Sequence, residues 1–234
     1  MREILARPNR LPIGIDESNF QYQYPNLPEI ITAVSSSDPH HLAYGRVGKR
    51  RPRGHINATD AAILANASYG IDFASDEHFD FRFTTVPREA LPDIKDAEYV
   101  CHILAVQRLS ECLARGHGFS IGHLEVLVDG ENRFVQNGHQ PERISVATRR
   151  EIALANGLQE LQAPKIRFEC KADEERRLVN KADRISYMLL YEAHISGLDT
   201  MLRRHAAKYI PLSSDDIKRI VAKYAVVGNS GRAA

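Results

Sequence analysis

Acidic residues end several of the apolar runs in this 234-residue chain, and their placement suits the chemistry of hard cations. Asp16 and Glu17 follow Leu11-Pro12-Ile13-Gly14-Ile15, and Asp129 follows Leu124-Glu125-Val126-Leu127-Val128. Asp173 and Asp183 lie ten residues apart further along the chain. Clustered carboxylates are costly, because like charges a few ångströms apart repel and raise each other's pKa. A fold that gathers three or four of them usually does so to hold cations that take oxygen ligands. Two divalent ions about 4 Å apart form a clamp for in-line attack on a phosphodiester. Singly, each acid also has a plain reading: Asp129-Gly130 as a turn, Asp173 and Asp183 as surface charges or helix caps. Their order and context carry the chemistry.

The acids need elements to position them. Residues 11–16 and 29–35 read as short strands rich in β-branched side chains, joined by a loop with Tyr22, Tyr24 and two prolines. Residues 41–47 are a candidate strand before a basic loop, and a cap at Asn57 or Thr59 would open a helix to Ala67. Residues 80–87 form another strand, ended by Pro87. Tyr99, Ile103, Val106, Leu109 and Leu113 recur at helical spacing, predicting a helix over 97–115 closed by Gly116 and Gly118. A strand at 123–128 runs into Asp129. A helix is predicted over 148–156, a strand over 165–170, and one long helix over 178–208. Ser213 and Ser214 cap a last helix at 215–224. The pattern predicts an α/β fold: a mixed β-sheet flanked by helices, with C-terminal helices. It predicts one domain over 1–227, its helical C-terminal part about 178–227, and a flexible tail at 228–234.

Composition removes several function classes. No apolar run reaches the roughly 20 residues that span a bilayer. The first residues lack a signal-peptide core, so a cytoplasmic location is expected. Cys101, Cys112 and Cys170 are odd in number and lack CxxC spacing, which fits buried thiols in a reducing compartment and argues against zinc or a disulfide framework. No dinucleotide or P-loop glycine motif and no nucleophile elbow occurs. Net charge is only +1, yet Arg46, Lys49, Arg50, Arg51 and Arg53 run together without an acid. Such a stretch either tracks phosphates or simply keeps a loop solvated.

The ordered motifs resemble the ribonuclease H superfamily, and within it the type 2 ribonuclease H family. Gly14-Ile15-Asp16-Glu17 is similar to that family's opening Gly-Ile/Val-Asp-Glu. The run ending in Val128-Asp129-Gly130 is similar to its Leu/Val-Ile-Asp-Gly strand, and Lys171-Ala172-Asp173 to its Lys-Gly/Ala-Asp. His205 to Tyr209 and the helix after them match its His-Lys-Gly-Tyr segment. Asn180-Lys181-Ala182-Asp183 also resembles the Asn-x-x-Ala-Asp helix start of type 1 ribonucleases H, so Asp173 and Asp183 are equal candidates for the last carboxylate. Two departures stand out. Ser18-Asn19-Phe20-Gln21 replaces the family's Ala/Val-Gly-Arg-Gly, whose backbone recognises the ribose 2′-hydroxyl. The Asp-Ser-Lys-Lys motif is missing, and Lys49-Arg50-Arg51 is the candidate source of its charge.

The resemblance covers most of the chain and implies a two-metal nuclease. Asp16, Glu17, Asp129 and Asp173 or Asp183 would hold two Mg2+ or Mn2+ ions. Lys171 or Lys181 would neutralise developing charge, or remain solvated lysines. Tyr209 would touch a nucleotide sugar, with simple packing as its alternative. The implied activity is endonucleolytic cutting of the RNA strand of an RNA–DNA hybrid. A nuclease acting on DNA or structured RNA, and a non-catalytic nucleic-acid-binding relative, are the other readings. Any of the histidines could serve as a general acid, but surface or packing roles account for most of them.

Overall fold

The computed structural model describes residues 10–19, 24–36, 79–92, 97–130, 141–169 and 172–225, with only the backbone of Glu174 and Glu175. Strands β1 (Leu11–Ser18), β2 (Glu29–Ser36), β3 (Phe79–Val86), β4 (Leu124–Asp129) and β5 (Lys165–Glu169) form one sheet in the order β3-β2-β1-β4-β5. β1 pairs antiparallel with β2 and parallel with β4; β2 and β3 are antiparallel, β4 and β5 parallel. The helices are α1 (Ala97–His117), α2 (Pro141–Ala155), the single turn α3 (Ala172–Glu175), α4 (Arg177–Ser196), α5 (Leu198–Arg204) and α6 (Ser214–Tyr224). This is the mixed sheet with flanking and C-terminal helices that the sequence implies. The candidate strand at 41–47, the helix up to Ala67, Cys170 and the tail lie outside the described residues. Among the described residues no helix is long and apolar enough to cross a membrane.

Strand alternation divides the core into two layers. Leu11, Ile13, Ile15, Ile31, Ala33, Val126, Val128, Ile166 and Phe168 face α1, α2 and α6. On the other side, Ile30, Val34 and Phe83 meet Leu178, Ala182, Ile185, Leu189, Leu190 and Ala193 of α4. Even-numbered positions of β1 therefore lie beneath α4, and they include Gly14 and Asp16. Beyond β3, the sheet edge is covered by backbone: Phe83 N–H donates to the Lys208 carbonyl at 3.1 Å, and Ile210 N–H to the Phe83 carbonyl at 2.8 Å.

Two helices differ from expectation. The predicted 178–208 helix is broken at Gly197, whose φ of 85° is a left-handed conformation that stops α4 while the apolar periodicity runs on. Helix α2 begins at Pro141, ahead of the expected Thr148, because its first turn is largely polar and carries no apolar rhythm. Proline suits a first helical position, where its missing N–H has no partner to lose.

Helix α6 is fastened to α2 by one buried acid. Glu151 accepts from Tyr224 OH at 2.5 Å, from Arg219 at 3.3 Å and from Lys223. Burial raises its pKa, but the hydrogen bonds from Lys223 and Tyr224 and the nearby charges outweigh burial and hold it below the ordinary carboxylate range. A depressed folded-state pKa stabilises the protein above the unfolded value and loses that contribution as pH falls through the folded one. Glu151→Gln is therefore expected to cost about 1.5–3 kcal/mol in urea unfolding at neutral pH. The gap to the parent chain should narrow on acidification; a pH-independent gap would show that the acid's charge is not what fastens α6.

Candidate active site

The acids at the ends of β1 and β4 are brought side by side. Ile15 pairs with Val128, so Asp16 and Asp129 occupy the next step of the parallel ladder. Residues in register on neighbouring strands point to the same face, with backbones about 4.8 Å apart. That face is the one under α4, and both side chains are buried, 2% and 6% exposed. Asp16 Oδ1 accepts the N–H of Glu17 at 2.8 Å. Asp129 Oδ1 accepts the N–H of Ala172 at 2.6 Å and of Asp173 at 3.4 Å. The carboxylate that ends β4 thereby anchors the turn bearing Asp173.

Asp183 lies on the face of α4 that is turned toward this region. Val179, Asp183 and Ser186 follow one another at four- and three-residue spacing along one helix face. Val179 packs with Leu127 of β4, and Ser186 Oγ lies 2.8 Å from Ser18 Oγ at the end of β1. Glu17 is placed differently: it pairs with Ile31, whose side chain belongs to the α1 side of the sheet, so alternation turns it from the face that Asp16 occupies. The donor chemistry of Asp16, Asp129, Asp173 and Asp183 fits a hard divalent cation. As the side chains stand, no group of three or more His, Cys, Asp or Glu among the described residues closes into a metal cage.

No family model matches this chain, and no curated protein matches it. It is similar to solved structures. The RNase HII of Archaeoglobus fulgidus, seen in its complex with PCNA, is 21% identical over 96% of this chain and 91% of that one, with a TM-score of 0.37. The ribonuclease H2 of Pyrococcus horikoshii OT3 is 14% identical over 92% and 86%, with a TM-score of 0.44. Bst-RNase HIII in complex with Mn2+ is 13% identical over 95% and 65%, with a TM-score of 0.43.

One acid was not anticipated from the sequence. Glu169 ends β5 opposite Asp129 in register, on the same sheet face. It forms an ion pair with Arg176, 3.0 Å away, at the junction of α3 and α4. Its signal was the one that revealed Asp129, an acid closing an apolar strand, obscured here by the Lys and Arg that alternate through β5.

Tyr209 lies on the α4 side of the sheet, its ring centroid 5.3 Å from that of Phe83. Its hydroxyl is 3.0 Å from Thr85 Oγ1. Ser18, Ile30 and Thr85 form one cross-strand row, so Tyr209 stands in the row beyond Asp16, two strands or about 10 Å away. Lys181 is placed elsewhere: its Nζ sits 3.2 Å from the centre of the Phe79 ring, toward the opposite end of the sheet. His117 is also at that end, 2.8 Å from Ser35 Oγ, and His205 is bonded to Glu192. Burial pushes the Cys101 thiol up to about 12, with Glu29 and Glu98 adding to the effect, so it is inert at neutral pH. Arg46, Lys49, Arg50, Arg51, Arg53 and Lys171 lie outside the described residues.

Proposed function

We propose that this protein is a divalent-metal-dependent endonuclease of the ribonuclease H type that cuts the RNA strand of RNA–DNA hybrids. The observation that carries the reading is the buried placement of Asp16 and Asp129 one residue past the last paired step, Ile15 with Val128, of two adjacent parallel strands, in a chain whose other motifs follow in the family's order. Asp16, Asp129 and Asp173 would hold Mg2+ or Mn2+, with Asp183 as the remaining oxygen donor; Glu17, turned to the α1 side of the sheet, is left out of the set. The hydrogen bonds from Ala172 and Asp173 to Asp129 favour Asp173 as the nearer of the two late acids. When bound, the ions supply an activated water and stabilise the leaving 3′-oxygen. The chain's own part is to fix the carboxylates on a rigid strand pair and keep their surroundings dry, which strengthens every charge interaction there. Tyr209, beyond the acid row, is the candidate contact for a nucleotide sugar, and the 46–53 basic run the candidate contact for phosphates.

The test is a substrate panel of RNA–DNA hybrid, duplex DNA and structured RNA, with Mg2+ or Mn2+ and with a chelator. Hybrid cutting that leaves 3′-hydroxyl and 5′-phosphate ends, and that stops on chelation, is the expected result. Equal cutting of hybrid and duplex DNA would replace the ribonuclease assignment with a broader nuclease. The Ser18-Asn19-Phe20-Gln21 sequence in place of Gly-Arg-Gly favours that second reading.

A further inference from the structure

The turn that leaves β1 is more elaborately built than a strand connection requires. Asn19, directly after Asp16-Glu17-Ser18, has φ of 67° and is the one non-glycine residue with positive φ among the described residues. Asparagine tolerates this left-handed backbone better than most side chains, because its short amide can bond locally. Here the amide is 5% exposed and fully engaged. The two hydrogens of its Nδ2 are shared among the carbonyls of Tyr24 at 3.1 Å, Leu27 at 2.9 Å and Pro28 at 3.1 Å, and its Oδ1 accepts the Tyr24 N–H at 2.7 Å. One side chain thus ties the end of β1 to the backbone immediately before β2.

The preceding residue is held from the other side. Ser186 Oγ donates to the Asp183 carbonyl at 2.9 Å, so in the 2.8 Å contact between the two serines the Ser18 hydroxyl must be the donor. The last two residues leading out of the acidic pair are therefore clamped, Asn19 to the β2 side and Ser18 to α4. A glycine at position 19 would have supplied the left-handed turn with none of these bonds.

We infer that Asn19 is a positioning residue for the Asp16 carboxylate, fixing the end of the strand from which it projects. The inference rests on the nuclease reading above. Losing a group that orients metal-binding side chains without touching the ion typically costs about 10–100-fold in metal affinity or activity.

The informative variant is Asn19→Gly, which keeps the backbone conformation and deletes every side-chain bond. Asn19→Ser, which keeps an oxygen for the Tyr24 N–H, is the milder second variant. Each is titrated with Mn2+ in thermal unfolding and assayed for hybrid cleavage, beside Glu151→Gln as a destabilised control remote from the acids. The Mn2+ midpoint of Asn19→Gly is expected to rise about tenfold and its kcat to fall about tenfold, with KM for the hybrid unchanged and smaller shifts for Asn19→Ser. Glu151→Gln should lose stability without moving either quantity. Asn19 variants that behave like this control, less stable but normal in Mn2+ midpoint and kcat, would overturn the positioning role alone. A parent chain with neither a Mn2+ response nor cleavage would remove the nuclease reading, and this inference with it.

Discussion

Gly14→Ala is expected to be among the most destabilising single substitutions in this chain. A Cβ built at Gly14 would lie 2.4 Å from the carbonyl carbon of Leu178, 2.4 Å from the nitrogen of Val179 and 2.7 Å from Leu178 Cβ. Non-bonded carbons rest about 3.5–4.0 Å apart, so α4 would have to retreat by about 1 Å. Two of the three obstructing atoms are backbone, and no rotamer change moves them. Retreat would loosen the contacts of Leu178, Ala182, Ile185, Leu189 and Leu190 with Ile30, Val34 and Phe83. The expected cost is about 3 kcal/mol, the upper end for overpacked cores. In a chain of this size that lowers Tm by about 6–12 °C. Thermal unfolding followed by circular dichroism measures it. A variant with the parent Tm would mean that α4 does not seat on β1 as described. The glycine of Gly14-Ile15-Asp16-Glu17 is thus required for close approach of the helix, which in turn brings Val179 and Ala172 onto Leu127 beside Asp129.

That dependence explains which parts of the site were legible in the sequence. Short runs of β-branched and other apolar residues revealed the five described strands, and the Tyr99–Leu113 periodicity revealed α1, because those patterns record which side chains must be buried. The break at Gly197 was not legible, since apolar residues continue at helical spacing beyond it and only the local backbone decides where α4 stops. The types of the candidate ligands were readable from acids at strand ends. Their adjacency was not, because it depends on β4 inserting beside β1 rather than beside β3, a matter of strand order. The different placement of Glu17 follows from the two-residue alternation that makes neighbouring acids diverge. Asn19 read as an ordinary loop residue; its bonds to Tyr24, Leu27 and Pro28 are short in sequence but depend on the left-handed turn.

Neutralising either acid of the β1–β4 pair is expected to abolish both the metal response and cleavage. Asp16→Asn and Asp129→Asn conserve shape and retain an oxygen for the backbone donors, Glu17 N–H in one case and Ala172 N–H in the other. Each should fold, while losing the charge that draws a divalent cation. With the parent chain at about 100 times its Mn2+ dissociation constant, binding contributes about 2.7 kcal/mol of stability. That corresponds to a rise in Tm of about 5–10 °C, absent in both variants. Cleavage should fall by about a thousandfold or more in each. The double variant should fall no further, because groups that act as one unit are not additive. Asp129→Ala separates the two duties of that residue. It removes the acceptor for Ala172 N–H as well, so it should cost about 1–3 kcal/mol more than Asp129→Asn before any metal is added. Variants that keep both the Mn2+ shift and hybrid cleavage would reduce the pair to buried structural acids. Loss of the shift in Asp16→Asn alone would confine the metal site to β1 and leave Asp129 as the anchor of the Asp173 turn.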